Sequence, residues 1–134
     1  MLEFYTQKIN THVPISVIRI VGGIDSSNFN LFQEYIDSHL KEGATYILLD
    51  FEGVSHISSA GLRVVHNLFN KLRALHKDVN DDELRKKMSM GEYKSPFLKI
   101  TSLAPNISEI FNIGGFDIYI EIFSDKTAAI NSFR

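Results

Sequence analysis

"YILLDFEGVSHISSAGLRVVHNLFNKL", Tyr46 to Leu72, is the stretch whose reading decides the fold. Its opening, with Thr45 in front, is short and apolar throughout, the composition of a strand buried on both faces of a helix-covered parallel sheet. After the polar step from Gly53 to Ser59 the periodicity changes. From Ala60 onward Leu62, Val65, Leu68, Phe69, Leu72 and Leu75 recur at helical spacing, with Arg63, Asn67, Asn70, Lys71 and Arg73 on the opposite side. A buried strand that turns directly into a long amphipathic helix is the repeating unit of an α/β domain.

The flanks extend that pattern. Upstream, Leu2 to Ile9 alternates loosely as an edge strand, and "VPISVIRIVGG" from Val13 is a β-branched strand ending at a glycine pair. A helix follows on Phe29, Leu31, Phe32, Tyr35, Ile36 and Leu40, with Asp25, Ser26, Ser27 or Asn28 available to cap it and Gly43 to end it. Downstream, "PFLKITSL" predicts a strand, Pro105 opens a short helix stopped by Gly114 and Gly115, and "DIYIEIF" alternates as a last strand. Ser124 is a candidate cap for a final helix. Between these blocks, residues 77–95 are polar; "NDDELRKKM" could form a short helix with acids at its N-terminal end and bases at its C-terminal end, and is otherwise a mobile loop. The expected architecture is a single α/β domain over residues 1–134: a mixed, mostly parallel sheet of about five strands with about four helices, interrupted by an insertion at about 77–95.

Bulk properties narrow the function. The chain has 134 residues and a formal net charge of −2, without the basic excess that phosphate contacts require, so nucleic acid is not an expected partner. It has no cysteine, which removes disulfides, thiol catalysis and cysteine-based metal sites. No signal-like apolar segment opens it, and no apolar run approaches membrane-spanning length, so a cytoplasmic domain is expected.

The paired hydroxyls of Ser58 and Ser59 raise the question of catalysis. A nucleophile elbow reads G-x-S-x-G. Around Ser59 the chain reads Ile57-Ser58-Ser59-Ala60-Gly61, and its five histidines, His12, His39, His56, His66 and His76, all precede the last third of the chain. His56 could approach Ser59 through the loop, yet no acid is in evidence to orient it, so a serine hydrolase is disfavoured. No histidine pair has metal-ligand spacing, no calcium loop is present, and "GGID" lacks the spacing of a phosphate loop. His56 and His66 are read as facing solvent or a partner. What remains for the serines is physical. A serine oxygen at a helix start can accept from an unpaired N–H for about 1 kcal/mol. A helix N-terminus also tolerates an added phosphate, whose charge of about −1.5 to −2 would change the surface more than the fold.

The ordered set "GGID" (Gly22 to Asp25), "YILLDFEGVSHISSAGLRVVHNL" and "PFLKITSLAPNISEIFNIGGFDIYIEIFSDKTAAI" resembles the STAS domain family, in particular bacterial anti-sigma factor antagonists. The resemblance spans nearly all of the chain outside the insertion. It implies a binding module, not an enzyme, that captures an anti-sigma factor serine kinase and is released when that kinase phosphorylates it; a serine phosphatase reverses the step, and ATP and magnesium belong to those partners, so no cofactor is expected of this chain. By position the phospho-acceptor is Ser59, with Ser58, standing where the family usually has Asp, as the backup. Ala60 replaces the second hydroxyl of the family's pair. Asp25 matches the family's acid near the partner surface, and the partner face is expected to comprise Asp25, Ser58, Ser59, Ala60, Gly61 and Arg63. The alternative is a STAS-type scaffold or ligand-sensing module of another signalling or transport complex. A weak homodimer is left open.

Overall fold

A computed structural model describes all of residues 1–134. Five strands form one sheet in the order β1-β2-β3-β4-β5: β1 (Glu3–Asn10), β2 (Pro14–Ile24), β3 (Ile47–Ile57), β4 (Leu98–Thr101) and β5 (Glu121–Phe123). The β1–β2 hairpin is antiparallel, and every later pairing is parallel. The helices are α1 (Phe29–Lys41), α2 (Ser59–Leu75), α3 (Asp81–Ser89), α4 (Pro105–Ile113), α5 (Phe116–Tyr119) and α6 (Lys126–Ser132). The mixed, mostly parallel five-stranded sheet is the one expected, with six helices in place of about four.

Strand alternation sorts side chains to the two faces of the sheet. From β3, Ile47, Leu49 and Phe51 enter the main core with Ile18, Ile20 and Ile24 of β2, beneath α1 and α2. Leu48 enters a smaller core on the other face, with Ile15, Val17, Ala129 and Phe133 of β2 and the α6 region. Helix α6 is held there by Lys99 of β4. The Lys99 Nζ donates to Ser132 Oγ at 2.9 Å and to the Ser132 carbonyl at 3.2 Å, and sits 5.0 Å from the Phe133 ring centroid. The helix cap is Asp125, whose carboxylate accepts from the N–H groups of Thr127 and Ala128, and not the neighbouring Ser124.

Three further segments either decide an open alternative or depart from expectation. The insertion does hold a helix, α3, capped by Asn80, whose Oδ1 accepts from the Glu83 N–H at 2.8 Å. Leu84 and Tyr93 carry it into the main core. The Tyr93 hydroxyl donates to Asp78 Oδ2 at 2.6 Å, and Arg73 of α2 reaches the Val79 carbonyl and Asp81. Second, "DIYIEIF" is not one strand. Gly115 at φ 77° turns the chain into α5, because one helical turn puts Phe116 and Tyr119 together against the aromatic core, where the Tyr119 ring lies 4.5 Å from that of Phe69. Only Glu121–Phe123 remains extended. Third, β2 and β3 both run further than their apolar runs suggest. Gly22–Ile24 pairs with Val54–Ile57, so the segment before Ser58 is strand and not loop.

Candidate functional site

The start of α2 is built from two adjacent strand ends. Ile24 of β2 and Ile57 of β3 are register partners, and the Ser58 N–H donates to the Ile24 carbonyl at 2.8 Å. Asp25 therefore leaves the sheet beside the residue that opens the helix. Parallel strands deliver both loops to the same edge of the sheet, as is usual for sites in such folds.

The two serines take different roles. Ser58, half-buried and extended at φ −87°, is the cap, with its Oγ accepting from the Gly61 N–H at a long 3.4 Å. Its carbonyl accepts from the Leu62 N–H at 3.0 Å, the first intrahelical bond. Ser59 is the first residue of the helix; it is exposed, and its hydroxyl makes no hydrogen bond within the protein. The unpaired N–H groups of the first turn give this end of the 17-residue helix its positive character. Ala60 is half-buried, and Arg63 projects to solvent from the next turn. Gly61 faces the other way. It is buried, and a Cβ there would lie 2.7 Å from Ile24 Cγ2 and Ile57 Cγ1, so its missing side chain lets α2 settle onto the strand ends. Its smallness serves packing within the domain, not approach from outside.

Asp25 organises the β2–α1 turn more than it caps the helix. Its Oδ1 accepts from the Ser27 N–H at 2.9 Å and the Ser27 hydroxyl at 2.5 Å. The Asp25 N–H donates to Asn28 Oδ1 at 2.9 Å, and Asn28 Nδ2 donates to the Gly23 carbonyl, so three of the four candidate caps, Asp25, Ser27 and Asn28, bond to one another or to the adjoining strand within one turn. The two bonds from Ser27, that of its hydroxyl first, hold the Asp25 carboxyl below its ordinary value.

Two residues join the site that sequence reasoning did not assign to it. His56, the penultimate residue of β3, lays its imidazole over Gly23 and points Nε2 at Asp25 Oδ2, 3.9 Å away. Asn106 of α4 donates from Nδ2 to the Ser55 carbonyl at 3.4 Å. A histidine pairing across a parallel ladder with a glycine has no sequence signature, because the register that joins Gly23 to His56 includes an irregularity between Gly22 and Gly23. His66 is exposed, as expected, and its Nδ1 is also 3.1 Å from the hydroxyl of Tyr119, whose pKa burial pushes up to about 12. No group of three His, Asp or Glu side chains is placed to hold a metal ion, and no helix is long and apolar enough to cross a membrane.

Residues 6–79 match the family model of the STAS domain. Among curated proteins, the chain is 26% identical over 113 residues to BtrV of Bordetella bronchiseptica, which bears the name of an anti-sigma factor antagonist; the alignment covers 84% of this chain and 81% of that protein. Among solved structures, an anti-sigma factor antagonist from Mycobacterium paratuberculosis superposes with a TM-score of 0.74 at 13% identity, covering 100% of this chain and 95% of the other. The Bacillus cell fate determinant SpoIIAA in its phosphorylated form superposes with a TM-score of 0.64 at 19% identity, over 98% of this chain and 100% of that one. At such identities these superpositions speak to the fold, and they carry it through the last strand and helix, beyond the matched residues.

Proposed function

The chain belongs to the STAS domain family, and on that premise we propose that it is an anti-sigma factor antagonist whose partner is an anti-sigma factor serine kinase and whose switch is Ser59. The observation that carries the proposal is the division of labour at the start of α2. Ser58 holds the cap, and Ser59 is left exposed with an uncommitted hydroxyl beside the Asp25 turn. In the unmodified state Asp25, Ser58, Ser59, Ala60 and Arg63 present a contact surface, with Asp25 offering a carboxylate to a basic group of the kinase. Phosphorylation joins Ser59 Oγ to the γ-phosphorus of ATP, breaks the bond to ADP and releases the hydroxyl proton. The product places two negative charges, at most, against the first turn of α2, where free N–H groups and the helix dipole can hold them. The fold persists while the surface that fitted a hydroxyl is lost. A serine phosphatase returns the protein to its binding state.

Incubation with the kinase and ATP is expected to add one phosphate, and Ser59→Ala to abolish the labelling. Undiminished labelling of Ser59→Ala together with its loss in Ser58→Ala would move the switch to the capping residue. Kinase should be retained by the unmodified protein and lost by Ser59→Asp. A second reading, a STAS-type scaffold in another signalling or transport complex, draws on the folded insertion at α3, a docked element at the far end of α2 from Ser59. It predicts partner retention that is indifferent to Ser59→Asp.

A further inference from the structure

Asp25 has one oxygen left for a partner, and a histidine stands over it. Oδ1 is taken by the Ser27 N–H and hydroxyl, at 2.9 and 2.5 Å. Oδ2 faces His56 Nε2 at 3.9 Å, too long for a hydrogen bond yet within ion-pair reach. An absence makes room for the imidazole in that position. A Cβ at Gly23 would lie 1.9 Å from His56 Cε1, 2.4 Å from Nδ1 and 2.6 Å from Nε2, so the ring fills the space that any other residue at position 23 would occupy. Gly23 and His56 are register partners in the β2–β3 ladder, which fixes the seat in the sheet and not in a loop.

We infer that His56 is a specificity-determining residue of the partner face: seated on Gly23, its imidazole screens Oδ2 of Asp25 and favours a partner's cationic group at that oxygen when the ring is uncharged. The inference rests on the antagonist reading above and names the device that tunes it. The physical basis is competition. A charged imidazolium beside Oδ2 neutralises the carboxylate and repels a lysine or arginine approaching it; a neutral ring does neither. Histidine is the side chain that changes charge between about pH 5 and 8. Asp25, on the β2–α1 turn, is its one ion-pair partner; from β2 it meets the Gly23 backbone, and on its own strand the Ser55 hydroxyl lies 3.4 Å from Nδ1. Both members of the pair are well exposed, 59% for His56 and 44% for Asp25, so the effect is bounded by what solvent-screened pairs contribute.

The test uses the purified serine kinase retained by the unmodified protein, with affinity measured at about pH 8 and about pH 5.5. Across that interval the wild type is expected to lose roughly two- to fivefold more affinity than His56→Gln does, the size of an exposed ion pair. Gly23→Ala, which evicts the ring without removing it, should behave as His56→Gln. Because the kinase titrates too, the difference between wild type and variant is the readout. Parallel pH profiles for the wild type and His56→Gln would overturn the inference and leave the antagonist reading standing. A kinase with no affinity for the unmodified protein at either pH would overturn both.

Discussion

At the start of α2 two neighbouring serines differ in what their loss should do. Ser58→Ala removes the cap and should lower stability by about 0.5–1 kcal/mol, since the bond to Gly61 is long. Ser59→Ala breaks no hydrogen bond and should leave the denaturation midpoint within error of wild type. Equal losses in urea unfolding would contradict the assignment of cap and free hydroxyl. Asp25 makes a second residue-level prediction. Its carboxyl is held low, chiefly by the Ser27 hydroxyl, so its folded value lies beneath the unfolded one. The stability it contributes is therefore present at neutral pH and fades only as pH falls below about 4, through the folded value. An NMR titration of the Asp25 carboxyl should show a depressed midpoint that rises in Ser27→Ala; an unmoved midpoint would assign the shift elsewhere. That a serine hydroxyl beside this helix start would serve as its cap was readable from the chain, because a hydroxyl there has few physical uses. Which serine caps was not, since that depends on where the strand lets go, and β3 holds on to Ile57 through its pairing with Ile24.

Elements were most legible where periodicity ran long. The α2 pattern placed Val65, Leu68, Phe69 and Leu72 in the core, as the structure has them. Its ends were less clear: Leu75 is 55% exposed, and Arg73 turns inward to hold the insertion. Leu31, counted on the apolar side of α1, is also largely exposed. The insertion's helix was signalled by charge order, acids first and bases last, but its docking was not, because a lone Leu84 in a polar segment gives no sign of what it will meet. The hydrogen bond from Tyr93 to Asp78 closes that segment. Tyr93→Phe should cost about 1 kcal/mol and speed amide exchange in α3 ahead of the rest of the domain. Uniform acceleration across the sheet would show that the insertion unfolds only with the whole.

The whole domain is one sheet with helices on two unequal faces, and its response to alkali follows from its buried phenols. Burial raises Tyr93 well above the ordinary tyrosine value and Tyr119 to about 12. Both must lose a proton to ionise, and they lose it more readily unfolded. Stability should hold up to about pH 10 and fall between about pH 10 and 12, as the unfolded chain releases protons that the folded one keeps. Thermal melts across that range should show the decline, reduced in Tyr119→Phe; a flat profile would mean that these phenols are solvated. The sequence by itself determined the α/β class and the mixed, mostly parallel sheet, because hydrophobic period, caps and breakers act over a few residues; Ser59 was singled out from Ser58 only through the family resemblance. Only the tertiary structure decided that "DIYIEIF" splits between a helical turn and a strand, that Gly61 packs inward, and that His56 rests on Gly23 against Asp25. Each of these turns on a contact between residues far apart in the chain, where ladder register and core packing override what any local segment prefers.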